Sequence, residues 1–116
     1  MIKPFLVDAP GLSTMTTEGN QYISVVATSG KITQITAVVV TDPTVKVDNY
    51  AAVTSITLSV VIYQGTSSST DILTITGSSV NNKVNNMSLI LQGDVKQGSQ
   101  SIATIVSCGQ TSVMAE

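Results

Sequence analysis

The chain lacks the side chains from which most catalytic sites are built. Its 116 residues include no histidine and no arginine, and Cys108 is its single cysteine. General acid–base and nucleophilic catalysis depend mainly on His, Cys, Arg or clustered carboxylates. With no histidine nearby to hold Cys108 as a thiolate, we expect a buried, unreactive thiol. One cysteine also provides neither a disulfide framework nor a thiolate metal cluster.

Charge and aromatic side chains are scarce as well. Charged residues make up 10% of the chain and aromatic residues 3%, and the net charge is −2. Nucleic-acid binding needs clustered Lys or Arg, so five dispersed lysines argue against it. No apolar run reaches the ~20 residues of a membrane span. The N-terminus has no apolar segment followed by a cleavage site, so we expect synthesis and folding in a cytoplasm.

The acidic residues do not form a recognisable site either. None of the carboxylates pairs with another at short spacing. Asp42 precedes Pro43 and Asp94 follows Gly93, as is typical of turn residues. The D-x-D-x-D-G pattern of a calcium loop is absent. We therefore expect no catalytic residue, no metal site and no cofactor.

The chain is rich in residues that favour β-strands, arranged in alternation. In the segment 53–64, Ile56, Leu58, Val60 and Ile62 fall on one face, and Ser, Thr, Val and Tyr fall on the other. Strict period two predicts a half-buried strand. The same kind of pattern predicts further strands over residues 22–28, 32–40, 45–47, 71–76, 87–92 and 101–108.

The connections between these strands are short and polar. Ser29-Gly30-Lys31 predicts a tight turn that makes a hairpin of strands 22–28 and 32–40. The Ser/Thr run 65–70 predicts a loop, and the tract 81–86 predicts a turn. Without helices, seven or eight strands predict an all-β fold: a single antiparallel β-sandwich, jelly-roll or immunoglobulin-like. Its expected parts are an extended arm (1–20), the sandwich (21–109) and a C-terminal tail (110–116).

The N-terminal arm carries an apolar patch outside the alternating strands. Ile2, Phe5, Leu6 and Val7 form this patch, and Pro4 and Pro10 interrupt it. One interpretation is that it folds back as an edge strand on its own domain. The other is that it adds to the sheet of a neighbouring molecule, with Phe5 as the anchor. The second interpretation makes these four residues the candidate partner-binding site.

A single acidic, helix-free domain with an arm and a polar Ser/Thr surface resembles the small decoration (cement) proteins of tailed-bacteriophage heads. The resemblance lies in size, composition and layout. It implies a non-enzymatic structural protein made in the host cytoplasm and bound to the outer capsid surface of the virion. It also implies contacts with the major capsid protein or other virion proteins, and association into dimers or trimers.

Two other functions are compatible with the same sequence. The chain could form a tail, neck or filament subunit that assembles by strand addition. It could also be a carbohydrate- or receptor-binding β-sandwich module, although such sites usually expose aromatic rings. Only Phe5, Tyr22, Tyr50 and Tyr63 are available for that purpose.

Overall fold

The computed structural model describes residues 2–116, and they form an all-β fold, as the sequence predicts. Met1, the first residue of the expected arm, lies outside the described residues. The strands are β1 (Lys3–Pro4), β2 (Ile23–Ala27), β3 (Lys31–Val47), β4 (Tyr50–Gln64), β5 (Ser67–Thr76), β6 (Lys83–Val84), β7 (Met87–Ser88), β8 (Val95–Gln97), β9 (Ser101–Ile105) and β10 (Met114–Ala115).

These strands form several small antiparallel sheets. The two larger ones are three-stranded, with the orders β3-β4-β5 and β2-β9-β8. The pairs β1-β10 and β6-β7 make two-stranded ribbons. The longest dimension of the molecule, 46 Å, matches the length of the β3-β4 hairpin at about 3.4 Å per residue.

Strand β4 is the centre of the larger sheet and has the alternation predicted for it. Ile56, Leu58, Val60 and Ile62 are fully buried. Their neighbours along the strand point to the opposite face, where they are half-buried or exposed. At about 1.5–3 kcal/mol for each large aliphatic side chain removed from water, this stripe is a main source of stability.

The hairpin predicted for residues 22–40 is wrong. β2 pairs with β9, and β3 pairs with β4. Ser29 and Gly30 carry the chain from one sheet to the other. Gly30 has a φ of +77°, and a Cβ there would meet the side chain of Gln64 and the carbonyl of Tyr63. The chain does bend at Ser29-Gly30, as the sequence predicts. A bend between two strands does not specify that those strands pair with each other.

Strand β3 is longer than predicted because it passes through the expected stop at Asp42-Pro43. The register shifts between Asp42 and Lys46, which is a bulge. Such an irregularity accommodates a proline on an edge strand. Within it, the Asp42 carboxylate accepts hydrogen bonds from the backbone N–H and the hydroxyl of Thr44. The separate edge strand predicted for residues 45–47 is therefore the end of β3.

Two-residue turns close three of the hairpins. Asp48-Asn49 joins β3 to β4, and Asn85-Asn86 joins β6 to β7. All four residues have positive φ, which is the type I′ geometry that suits the twist of a hairpin. Between β4 and β5 only Gly65 and Thr66 lie outside the ladder. The rest of the predicted 65–70 loop is strand, because its main chain pairs with β4 although its side chains are short and polar.

Candidate interaction surface

The structure places the apolar patch of the N-terminal arm mostly inside its own chain. Phe5, Leu6 and Val7 are buried in the hydrophobic core, with relative exposures of 2%, 0% and 0%. Ile2 is the exception, at 63%. Because burial against the chain's own core already covers these three side chains, they have no free surface to offer a neighbouring molecule.

The main chain of the arm is also paired. Val53 N–H donates to the Leu6 carbonyl (3.0 Å), and Leu6 N–H donates to the Ile90 carbonyl (2.8 Å). Val7 N–H donates to the Cys108 carbonyl (3.1 Å). The arm thus runs between the start of β4, where β5 has already ended, and the segment around Ile90. Around Leu6 it is an extended segment in the interior of its own domain.

The C-terminal residues hold the arm in place. β10 pairs with β1, so the two ends of the chain form a ribbon. Gln110 is buried, and its amide donates to the carbonyls of Phe5 (3.0 Å) and Val113 (2.8 Å). In this structure the arm and the tail are therefore parts of one packed body with the segment 21–109, and Phe5, Leu6 and Val7 are core residues.

An open surface lies on the larger sheet, on the side away from the core. We call it the outer face of β3-β4-β5. From the strand registers, it consists of Lys31, Gln34, Thr36, Val38 and Val40 of β3, Ser55, Thr57, Ser59, Val61 and Tyr63 of β4, and Ser68, Thr70, Ile72, Thr74 and Thr76 of β5.

This outer face exposes apolar side chains among hydroxyl groups. Val38 is 65% exposed and Ile72 is 57% exposed. On the central strand, the outward side chains of Ser55, Thr57, Ser59 and Val61 are half-buried between their neighbours. Thr57 and Thr74 share a hydrogen bond of 3.3 Å between their hydroxyls. Lys31, at one end, is the one charged member of the face as defined above.

The amino-acid sequence indicates only part of this face. The alternation in β4 placed Ser55, Thr57, Ser59, Val61 and Tyr63 on one side together. It did not show that the Val and Thr residues of β3 and the Ser and Thr residues of β5 lie beside them, because that depends on strand register. No pattern within the sequence of β3 itself indicates that Val38 and Val40 are exposed.

A buried carboxylate links the two larger sheets. Asp71 lies on the inner side of β5 and is 6% exposed. It accepts hydrogen bonds from the hydroxyls of Ser101 (2.7 Å) and Ser99 (3.1 Å) and from the N–H of Gln100 (3.0 Å). Burial raises the pKa of this carboxyl, but the donors outweigh that effect and hold its pKa below the ordinary value.

Gly98 makes room for that carboxylate. A Cβ on Gly98 would overlap the carboxyl group of Asp71, so the turn between β8 and β9 can close over the group only without a side chain. Asp71 is therefore a buried residue of β5, unlike Asp42 and Asp94, which the sequence predicts to be turn residues. Its geometry is that of a structural link, with donors on every side.

Asp94 and the thiol of Cys108 also have structural roles. Asp94 accepts from the hydroxyl of Ser78 and the N–H of Leu91. Cys108 is buried, and its thiol donates to the Pro4 carbonyl at 3.4 Å. Burial, together with the charge of Asp94, raises the pKa of Cys108 to about 12, so the thiol stays protonated at neutral pH.

One open groove lies at the edge of the smaller sheet. It has a volume of about 730 Å³ and lies between the loop around Gly19, strand β2 and the start of β3. Glu18 and Lys31 line it together with small and apolar residues. The groove contains no cluster of titratable groups that would indicate a reaction.

Neither a metal-binding cluster nor a membrane-spanning helix occurs among residues 2–116. Within residues 2–116, no group of three or more His, Cys, Asp or Glu side chains could hold a metal ion. The described residues include no helix long and apolar enough to cross a membrane. No family model, no curated protein and no solved structure matches the chain.

Proposed function

We propose that this chain is a non-enzymatic structural subunit that works by protein–protein contact, as a decoration (cement) protein on the outer capsid surface of a virion. The observation that carries this proposal is the outer face of β3-β4-β5. A contiguous sheet surface with exposed Val38 and Ile72 and almost no charge is suited to association. The partners would be the major capsid protein or other virion proteins, besides further copies of the chain.

We also infer that the two three-stranded sheets are the halves of one sandwich. The inward side chains of β4, such as Leu58, belong to the same core as Ile23 of β2 and Ile105 of β9. The Asp71 link joins the sheets at one end. A body of this kind, with both chain ends paired to each other, suits a subunit that must keep its shape under load.

Many copies would make weak contacts effective. Each subunit would bury a modest area against the shell, and the summed contacts would resist expansion of the capsid, as in multivalent binding. Since the resemblance is to proteins that act outside the capsid, no contact with the packaged nucleic acid is required. A surface with few charges is compatible with that position.

The test is addition of the purified protein to capsids assembled without it. We expect saturable binding at fixed positions in electron micrographs and a higher disassembly temperature of the decorated capsid. The unfolded chain, prepared in denaturant and diluted immediately before mixing, serves as a control for nonspecific adsorption. A folded protein that leaves capsids bare at every concentration rules out this function.

A second candidate, a tail, neck or filament subunit, is favoured by the open edge of β3. Within the described residues β3 has a ladder partner only on the β4 side, so its other edge offers unpaired main-chain groups. Lys31, Lys46 and the Asp42-Pro43 bulge blunt both ends of this edge. Fibres or rings of the purified protein in electron micrographs would favour this candidate over capsid decoration.

A carbohydrate-binding function has one supporting feature. Tyr63 is 45% exposed at one end of the outer face, opposite Ser68 on β5, and an exposed ring of this kind can stack on a sugar. Tyr22 is unavailable because it is buried and donates its hydroxyl hydrogen bond to the Pro10 carbonyl. Glycan binding that disappears in Tyr63→Ala would support this function.

A further inference from the structure

We propose that the outer face of β3-β4-β5 is a self-association surface, and that its occupant is the same face of a second copy of this chain. The two copies would pack face to face about a two-fold axis. This inference deepens the proposed structural function, and rests on it, by naming the surface through which subunits associate. The capsid would then be contacted through the surfaces that the dimer leaves open.

Charge is the first argument for a second copy as the occupant. In a two-fold interface the same patch lies on both sides, so any group of like charges on it would be opposed to itself. The outer face has no carboxylate, and its one cation, Lys31, lies at an end far from the centre. Opposed copies therefore meet without like-charge repulsion, which is otherwise costly at interfaces.

Area is the second argument. Strand β5 has ten residues, so the face is about 34 Å long and, over three strands, about 14 Å wide. Each copy then contributes roughly 480 Å² of flat surface, or about 1,000 Å² for the pair, which is the lower limit for a specific interface. The smaller sheet has strands of five residues or fewer, and its outer face offers about half that area.

Chemistry is the third argument. The exposed valines and Ile72 lie on both edge strands, and the hydroxyl groups of Thr57 and Thr74 already bond to each other. Covering the face thus removes apolar surface from water, and the Ser and Thr hydroxyls that have no partner within residues 2–116 of their own chain would donate to and accept from those of the second copy. The side chains are short, so two such faces can approach to the ~10 Å spacing of packed sheets.

Ser59 is the residue on which to test this arrangement. It lies near the middle of the central strand, between Thr36 and Ile72. Any two-fold packing of the whole face brings it close to its own copy. A charge at position 59 would therefore be opposed to the identical charge in the partner, whichever sign is chosen.

The experiment compares Ser59→Lys, Ser59→Glu and an equimolar mixture of the two by sedimentation velocity, from micromolar to millimolar concentration. We expect the native chain to form dimers in this range. Each variant alone should associate at least about tenfold more weakly because like charges meet. The mixture should form mixed dimers, since the opposite charges then face each other.

Thr104→Lys is the matched control. Thr104 is half-buried at the outward side of the central strand of the smaller sheet, between Ser24 and Val95. It places the same charge in an equivalent setting, and the dimer should persist. Circular dichroism of every variant verifies that the β fold is retained, so loss of the dimer is not confused with unfolding.

Three results would overturn the inference: a native chain that is monomeric at millimolar concentration, a dimer indifferent to both Ser59 variants, or a mixture that fails to restore association. Each of these is independent of the capsid assay. A chain that dimerises through this face and leaves capsids bare would sustain the self-association surface and remove the decoration function.

Discussion

The N-terminal arm and the outer face of β3-β4-β5 both differ in burial from what their sequences suggest. The arm has the denser apolar patch, yet Phe5, Leu6 and Val7 are buried and hydrogen-bonded within their own chain. The outer face is built of alternating hydroxyl and β-branched residues, yet it exposes Val38 and Ile72. An apolar cluster in a sequence is thus more informative about what is buried than about what binds.

The largest effect is expected from removing the arm. Deletion of residues 1–10 would take Phe5, Leu6 and Val7 out of the core and leave the main chain of Val53 and the Ile90 carbonyl without their partners. The summed loss is comparable to the whole stability of a small domain. We expect an unfolded chain by circular dichroism and proton NMR; a truncated chain with dispersed amide resonances would place the arm outside the folding unit.

The same comparison can be made with one residue type. Val7→Ala removes two methyl groups from a fully buried site and should lower the free energy of unfolding by about 2–3 kcal/mol. Val38→Ala removes the same atoms from the exposed outer face and should change it by less than about 0.5 kcal/mol. Urea denaturation, at a protein concentration too low for dimer formation, measures the change in the free energy of unfolding for both variants. Equal changes would contradict the predicted difference between the buried and the exposed valine.

Charged side chains are usually exposed and aliphatic ones buried, but Asp71 and Ile72 show the opposite. The carboxylate of Asp71 is buried, and the side chain of Ile72 is exposed. Asp71→Ala would leave Ser101 and the Gln100 N–H without an acceptor, at a cost of about 1–3 kcal/mol. Ile72→Ala should be close to neutral in the monomer. If Ile72→Ala proved the more damaging to the unfolding free energy, the assignment of the two faces of β5 would be wrong.

The smallest effect is a pH dependence at the same link. The pKa of Asp71 is lowered in the folded chain from its ordinary value of 3.8. Its charged form therefore stabilises the fold above that value, and the contribution is lost as the pH falls through the lowered pKa. Thermal unfolding of the native chain between pH 7 and pH 2 should show this acid loss. In Asp71→Asn the unfolding temperature should fall less steeply with decreasing pH, because the contribution of this carboxyl is gone. An unchanged dependence on pH would assign the loss of stability to other carboxylates.

Local features of the fold were predictable because they depend on neighbours along the chain. The alternation in β4 and the turn at Ser29-Gly30 are of this kind. The two-residue turns at Asp48-Asn49 and Asn85-Asn86 could also have been found, since Asn and Asp tolerate positive φ. The Ser/Thr run after Gly65 has the composition of a loop, and it is a strand only because its main chain pairs with β4.

Partners distant in the sequence were not predictable. The pairing of β2 with β9 joins residues nearly eighty positions apart along the chain, and no local pattern encodes it. The register that aligns Val38, Thr57 and Thr74 into one row is equally non-local. The candidate surface therefore depends on the pairing of three strands, which the sequence alone does not specify.

By itself, the sequence determined that this protein is a β-structure with an aliphatic core, few charges and few reactive groups, because those properties follow from composition and from a period of two. Only the tertiary structure decided that the arm lies inside, that Asp71 links two sheets, and that the outer face of β3-β4-β5 is open and carries a single charge, at Lys31. The physical reason is that burial of a side chain depends on which distant strand covers it, and identical valines become core or surface accordingly.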